Sequence, residues 1–157
     1  MNFRIFSELW FKKYDWHLFN PLSKDDSHYL KALHLLTSQG NQKEFNEQIL
    51  ALTKIFIDSL NEKELVKRIL IEKEDAKGID KFESFLEYNN VMIPEEIKFL
   101  RKLQALRSST VVHRRSESPN EKTLSYFGFN EKGLDEILED IFIRLIYMMD
   151  TLKFKML

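Results

Sequence analysis

The stretch LDEILEDIFIRLIYMMDTL, residues 134–152, repeats apolar side chains at the spacing of one face of an α-helix. Acidic side chains occupy its early turns, where negative charge suits the positive end of the helix dipole. The apolar stripe is broader than one core-facing side needs, so the segment predicts a long helix that is either buried or part of a subunit interface. The stripe consists of Leu134, Ile137, Leu138, Ile141, Leu145, Met148, Met149 and Leu152.

Helical periodicity continues upstream, and the chain of 157 residues contains only four Gly and three Pro. So few turn-forming residues favour long helices over many short strands. We therefore predict an all-α helical bundle of about five or six helices, in a single domain spanning residues 1–157. The helices are expected over residues 1–14, from Ser23 or Asp25 to Gly40, over 45–60 with a kink or new start at Asn61, around 82–86, from Pro94, and from Asn130.

The composition narrows the class of protein. Cysteine is absent, which excludes thiolate catalysis, disulfides and Cys-ligated zinc. Arg4, Glu8 and Lys12 interrupt the first residues, so no signal peptide is expected there. No apolar run has the length of a membrane span. These features predict a cytoplasmic protein without a membrane partner, and the thirteen Phe side chains are expected to form its core.

The chemically richest segment is LRSSTVVHRR, residues 106–115, which places Arg107 six positions before His113. Between Lys98 and Arg115 the chain has six basic residues and no acidic one. Histidine exchanges protons near neutral pH, and the arginine fork binds phosphate oxygens and stabilises charge that develops on them. RNA carries its own nucleophile, the 2′-hydroxyl. The pair could therefore cleave RNA without a metal or cofactor, while the other basic side chains hold the backbone: Lys98, Arg101, Lys102, Arg114 and Arg115.

The geometry of a straight helix works against this pair. Six positions turn the two side chains about 120° apart and separate them by about 9 Å along the axis. Residues 108–112 are hydroxyl or β-branched side chains, which are poor helix formers. Either the chain bulges or leaves the helix just after Arg107, or a symmetric partner supplies the second set of side chains.

With its Arg–x5–His spacing near the end of one helix, followed by a loop and a long final helix, the chain resembles the HEPN (higher eukaryotes and prokaryotes nucleotide-binding) superfamily. The string from Leu103 to Arg115 is similar to HEPN domains encoded near bacterial defence and toxin modules. The likeness is strongest over residues 93–152. It implies a helical bundle, usually dimeric, with the motif facing a cleft between protomers.

The resemblance also implies metal-independent endoribonuclease activity, as in a toxin or anti-phage defence effector. Arg107 matches the motif arginine and His113 the motif histidine, and an acidic residue of the middle helix, here Asp58, can orient the motif. Active members often have Asn, Asp or His where this chain has Ser108. One toxin branch has a tyrosine, modified by an antitoxin, where this chain has Arg115. The expected RNA-binding or supporting residues are Ser108, Arg114, Arg115, Lys102 and Asp58, and the expected partners are RNA, a second copy, and an antitoxin or defence-complex protein.

Other interpretations remain open. Arg107 could be a solvent-facing helix-end residue with His113 packed or capping nearby. The protein would then be a non-catalytic interaction or nucleic-acid-binding module, or a structural dimer within a larger defence complex. His17, His28 and His34 are expected to be structural. Asp25 and His28 have the spacing of a helical metal site, but the chain lacks the second such pair that a di-metal bundle requires, so no metal site is predicted.

Overall fold

The computed structural model describes residues 2–38, 40–70, 75–112 and 121–157, with backbone only for 109–112. The regular elements of its described part are all helices, with no strand, which confirms the all-α class. The elements are α1 (Phe3–Tyr14), α2 (His28–Ala32), α3 (Gln42–Thr53), a π-helical turn (Lys54–Asp58), α4 (Glu62–Val66), α5 (Gly78–Tyr88), α6 (Pro94–Val112), α7 (Glu121–Phe127) and α8 (Leu134–Met156).

The described residues thus form eight α-helices rather than five or six. Part of the difference comes from residues 45–60, because α3 passes into the π-helical turn and ends there. A new helix, α4, then begins at the predicted position, where the Asn61 side chain accepts a hydrogen bond from the Glu64 backbone N–H. The other addition is α7, which starts within residues 116–122, where the polar sequence and its Pro predict a loop.

The helix expected from residues 23–25 to Gly40 is wrong for most of its length, because only His28–Ala32 is helical. Side chains of α3 bind the backbone that follows it. Gln48 accepts from the His34 N–H at 3.0 Å and donates to the Ala32 carbonyl at 3.0 Å. Glu44 accepts from the Thr37 N–H at 3.0 Å. These bonds satisfy backbone groups that a continuing helix would otherwise pair.

Two other boundaries also differ from the sequence prediction. The final helix is preceded by Gly133 rather than by a capping Asn130. Helix α6 is helical through Val112, so the first of the two expected alternatives, a chain that leaves the helix just after Arg107, does not occur. Hydroxyl and β-branched residues lower helix propensity by only a few tenths of a kcal/mol each, which tertiary packing readily overrides.

One cluster of buried side chains contains residues from α1, α3, the π-helical turn and α4 through α8. Helix α3 packs against α6 and α8, and α1 packs against α8. Trp10 of α1 contacts Trp16 with ring centroids 5.5 Å apart, and Phe3 contacts Phe56 at 5.3 Å. Most phenylalanines belong to this core or pack on it, as expected, while Phe11 and Phe154 are exposed.

The connection after α1 is fastened to the turn before α4. Phe19 pairs with Leu60 in an isolated antiparallel bridge. The Asn61 side chain donates to the His17 carbonyl at 2.9 Å in addition to capping α4. This one amide therefore links the N-terminal segment to the end of the π-helical turn.

We expect Asn61→Ala to lower the free energy of unfolding by about 1–2 kcal/mol, since it removes both the cap and the bond to His17. Asn61→Ser is the matched control, because it can still cap α4 but is too short to reach His17. Chemical denaturation should place Asn61→Ser between the wild type and Asn61→Ala. Equal stability of all three proteins would contradict this role.

Candidate functional site

Arg107 lies on α6 and reaches across to the end of the π-helical turn. Its Nη1 donates to the Asp58 carboxylate at 2.6 Å and lies 3.4 Å from the Thr53 hydroxyl. The Arg107 side chain is 24% exposed and that of Asp58 is 31% exposed. The contact is thus a partly buried, charge-assisted hydrogen bond, stronger than one between two neutral groups.

Asp58 is the last residue of the π-helical turn. One turn of π-helix inserts an extra residue into a helix, and such turns are frequent at functional sites. Lys54, at the start of the turn, places its Nζ 3.6 Å from the same carboxylate. Asp58 therefore holds two cations, and the shorter of its two contacts is with Arg107.

His113, Arg114 and Arg115 lie outside the described residues. The backbone before them is regular helix from Arg107 to Val112. Over this range the helix therefore carries the backbone away from Arg107. Ser108 is exposed, and its hydroxyl donates to the Gln104 carbonyl one turn earlier, at 3.2 Å. The structure thus joins Arg107 to Asp58 but leaves Ser108 bonded to its own helix.

The basic side chains of α6 divide into two groups. Arg101 pairs with acidic side chains of α5, Asp80 at 2.8 Å and Glu83 at 2.5 Å. The bond to Glu83, followed by that to Asp80, raises the pKa of the Arg101 guanidinium above its ordinary value. Arg101 and Arg107 therefore both pair with carboxylates of other elements. Residues 98–115 themselves contain no acidic residue.

Lys98 and Lys102 form the second group, on the face of α6 that meets α7. Their Nζ atoms lie 5.8 and 6.0 Å from the centroid of the Tyr126 ring. The Arg144 guanidinium of α8 lies 5.2 Å from the same centroid and 5.6 Å from that of Phe99. These distances fall in the range of cation–π attraction. Burial raises the pKa of the Tyr126 phenol, and Arg144 opposes that shift.

The sequence prediction grouped Lys102 with Arg107 and did not find Arg144, Tyr126 or Thr53. On α6, five positions separate Lys102 from Arg107, which turns them about 140° apart around the helix axis. The i, i+4 spacing of Lys98 and Lys102 is the sequence pattern that places these two lysines together on one face of α6. No sequence pattern identifies Tyr126, because α7 itself was not predicted.

Two further observations concern the described part of the chain. It contains no group of three or more His, Asp or Glu side chains positioned to bind a metal ion. None of its helices combines the length and the apolarity that a bilayer-spanning segment needs.

A cavity of about 490 Å³ lies beside α1 and has mainly apolar walls that include Phe3, Phe11 and Leu30. His17 lines it and stacks on Phe11 with ring centroids 4.5 Å apart.

Comparisons of the chain with models of protein families, with curated proteins and with solved structures give no match. The HEPN resemblance therefore rests on the residues of the chain alone.

The Arg107–Asp58 contact should be visible as coupling in a double-mutant cycle. For Arg107→Ala, Asp58→Ala and the double variant, we expect an interaction free energy of about 1–2 kcal/mol in chemical denaturation, because the hydrogen bond is charge-assisted and partly buried. The matched pair is Lys54→Ala with Asp58→Ala, where the longer contact predicts about 0.5 kcal/mol or less. Additive effects of Arg107→Ala and Asp58→Ala would contradict the contact.

Proposed function

We propose that the protein is a HEPN-like, metal-independent endoribonuclease in which Arg107 and His113 act on one scissile phosphate. The observation that carries this proposal is the hydrogen bond from Arg107 to Asp58. It fits the arrangement implied by the HEPN resemblance, an acidic residue of the middle helix orienting the motif arginine.

In the proposed reaction, the His113 imidazole takes the proton of an RNA 2′-hydroxyl or gives one to the leaving 5′-oxygen, and solvent water exchanges the other proton. The 2′-oxygen forms a bond to phosphorus as the bond to the 5′-oxygen breaks. The products are a 2′,3′-cyclic phosphate and a 5′-hydroxyl. Arg107 stabilises the negative charge that accumulates on the phosphate oxygens, and Asp58 fixes the direction of its fork. Ser108, Arg114 and Arg115 are proposed to position the RNA.

The regular helix between Arg107 and Val112 supports a site shared between two chains. A break after Arg107 could have brought Arg107 and His113 together within one chain, and the described residues contain no such break. A two-fold dimer offers the other route, because it can place Arg107 of one protomer beside the histidine of its partner.

An exposed apolar side chain near the end of α8 supports self-association. Phe154 is 91% exposed and lies seven positions, about two helical turns, beyond Tyr147. Burying a large apolar ring against a partner removes it from water, which is favourable. We propose that the protein is a homodimer, and that any antitoxin or defence-complex protein binds this dimer.

Purified protein should cleave RNA in the presence of EDTA, since the mechanism uses no metal. His113→Ala should lower the rate by at least about 100-fold, the usual contribution of general acid–base catalysis. Arg107→Lys should also cleave poorly, because an ammonium keeps the charge but lacks the fork. Gel analysis of a labelled RNA measures both rates, and circular dichroism checks that the variants remain folded. Cleavage by His113→Ala at the wild-type rate would refute the proposed catalytic role.

Mixing two inactive variants distinguishes a shared site from one within a single chain. Arg107→Ala and His113→Ala protomers are co-expressed and allowed to exchange. A shared site should restore about a quarter of the wild-type rate, because half the dimers are mixed and each has one intact site. A site within one chain should restore nothing. Each variant alone, at the same total concentration, is the control.

A second candidate function is a non-catalytic, HEPN-like RNA-binding module. It is favoured by Ser108, whose hydroxyl is bonded to its own helix. Salt-sensitive RNA binding by wild-type protein without cleavage, at any divalent-cation concentration, would select this function over the first.

A further inference from the structure

A cavity of about 290 Å³ opens between α6, α7 and α8, away from the Arg107–Asp58 contact. It is lined by Glu95, Glu96, Phe99, Tyr126, Arg144 and Tyr147. Phe99 is buried, whereas Tyr147 is 65% exposed. The cavity therefore combines an apolar base, an open aromatic ring and charges of both signs, the features of a site that orients a small ligand.

Three cations surround the Tyr126 ring, which lines this cavity together with one of them, Arg144. Lys98, Lys102 and Arg144 all lie within about 6 Å of the Tyr126 ring centroid, so they lie within about 12 Å of one another, close to the distance over which salt screens charge. Among the described residues, no carboxylate forms an ion pair with any of the three. An anion bound between them would relieve their mutual repulsion.

We propose that this cavity binds one nucleotide of single-stranded RNA, with the phosphate between Lys98, Lys102 and Arg144 and the base against Tyr147. The choice of RNA rests on the proposed function, while the site itself is distinct from the Arg107 site. Aromatic side chains that stack bases beside cations that hold phosphates are the usual means of binding single strands.

The two carboxylates set the orientation of that nucleotide. Glu95 and Glu96 line the cavity and repel phosphate, yet a carboxylate accepts hydrogen bonds from the amino group of a base. The base edge therefore points toward the glutamates and the phosphate toward the lysines. Cytosine has an exocyclic amino group and uracil has none, so the site should prefer cytosine.

Binding of a 2′-O-methyl RNA, which cannot undergo the proposed cleavage, tests the site separately from catalysis. Fluorescence anisotropy measures the binding, and the double variant Lys98→Gln/Lys102→Gln should weaken it by about tenfold. The slope of log affinity against log salt should also become shallower by about 1.4, because two phosphate contacts are lost. Arg101→Gln is the matched control on the same helix. It should leave the slope unchanged, because Arg101 is held by Asp80 and Glu83.

The base is tested at Tyr147 and at the glutamates. Tyr147→Ala should weaken binding about fivefold or more, and Tyr147→Phe should retain it, if the ring stacks. Oligo(C) should bind more tightly than oligo(U), and Glu95→Ala/Glu96→Ala should abolish that ratio. The site is refuted if Arg101→Gln and the double lysine variant have equal effects, or if oligo(C) and oligo(U) bind equally. If wild-type protein binds unmodified RNA without cleaving it, the proposed nuclease activity is refuted, while the nucleotide site in this cavity is not.

Discussion

The hydrogen bond between Arg107 and Asp58 is the contact on which the proposed site depends. It joins α6 to the π-helical turn through two residues that are 49 positions apart in the chain, at a distance of 2.6 Å. Asp58 is the last residue of that turn, and the Asn61 cap and the Phe19–Leu60 bridge follow directly after it. An arginine held in this way loses little freedom on meeting a phosphate, which is how preorganised charge contributes to catalysis.

The basic side chains of α6 form one group in the sequence but two groups in the structure. Lys98, Arg101, Lys102 and Arg107 lie in a segment without acidic residues, yet the two arginines bind carboxylates from other elements. The lysines instead surround Tyr126 together with Arg144. Nucleic-acid affinity depends on cations that can exchange their counterions for phosphate. The lysine face of α6 is therefore the better candidate for holding an RNA backbone.

The sequence predicted the helical class, the start of α6 at Pro94 and the cap at Asn61, because periodicity, Pro and Asn act through local geometry. It failed where distant side chains decide the backbone. Gln48 and Glu44 bind the segment after Ala32, which therefore does not continue as a helix. Asp58 was proposed from the HEPN resemblance, but no sequence pattern predicted the π-helical turn that ends at it or its hydrogen bond to Arg107. Tyr126 could not be foreseen, since its meeting with Lys98, Lys102 and Arg144 is set by packing among three helices.

The central claim is that the protein uses the 2′-hydroxyl of RNA itself as the nucleophile. The most direct measurement is the chemistry of the ends that wild-type protein leaves on a defined RNA in EDTA, read by mass spectrometry. The account predicts 2′,3′-cyclic phosphate and 5′-hydroxyl ends, with no cut at a position that carries a single 2′-deoxy substitution. Cleavage at that deoxy position, or 5′-phosphate ends, would contradict it.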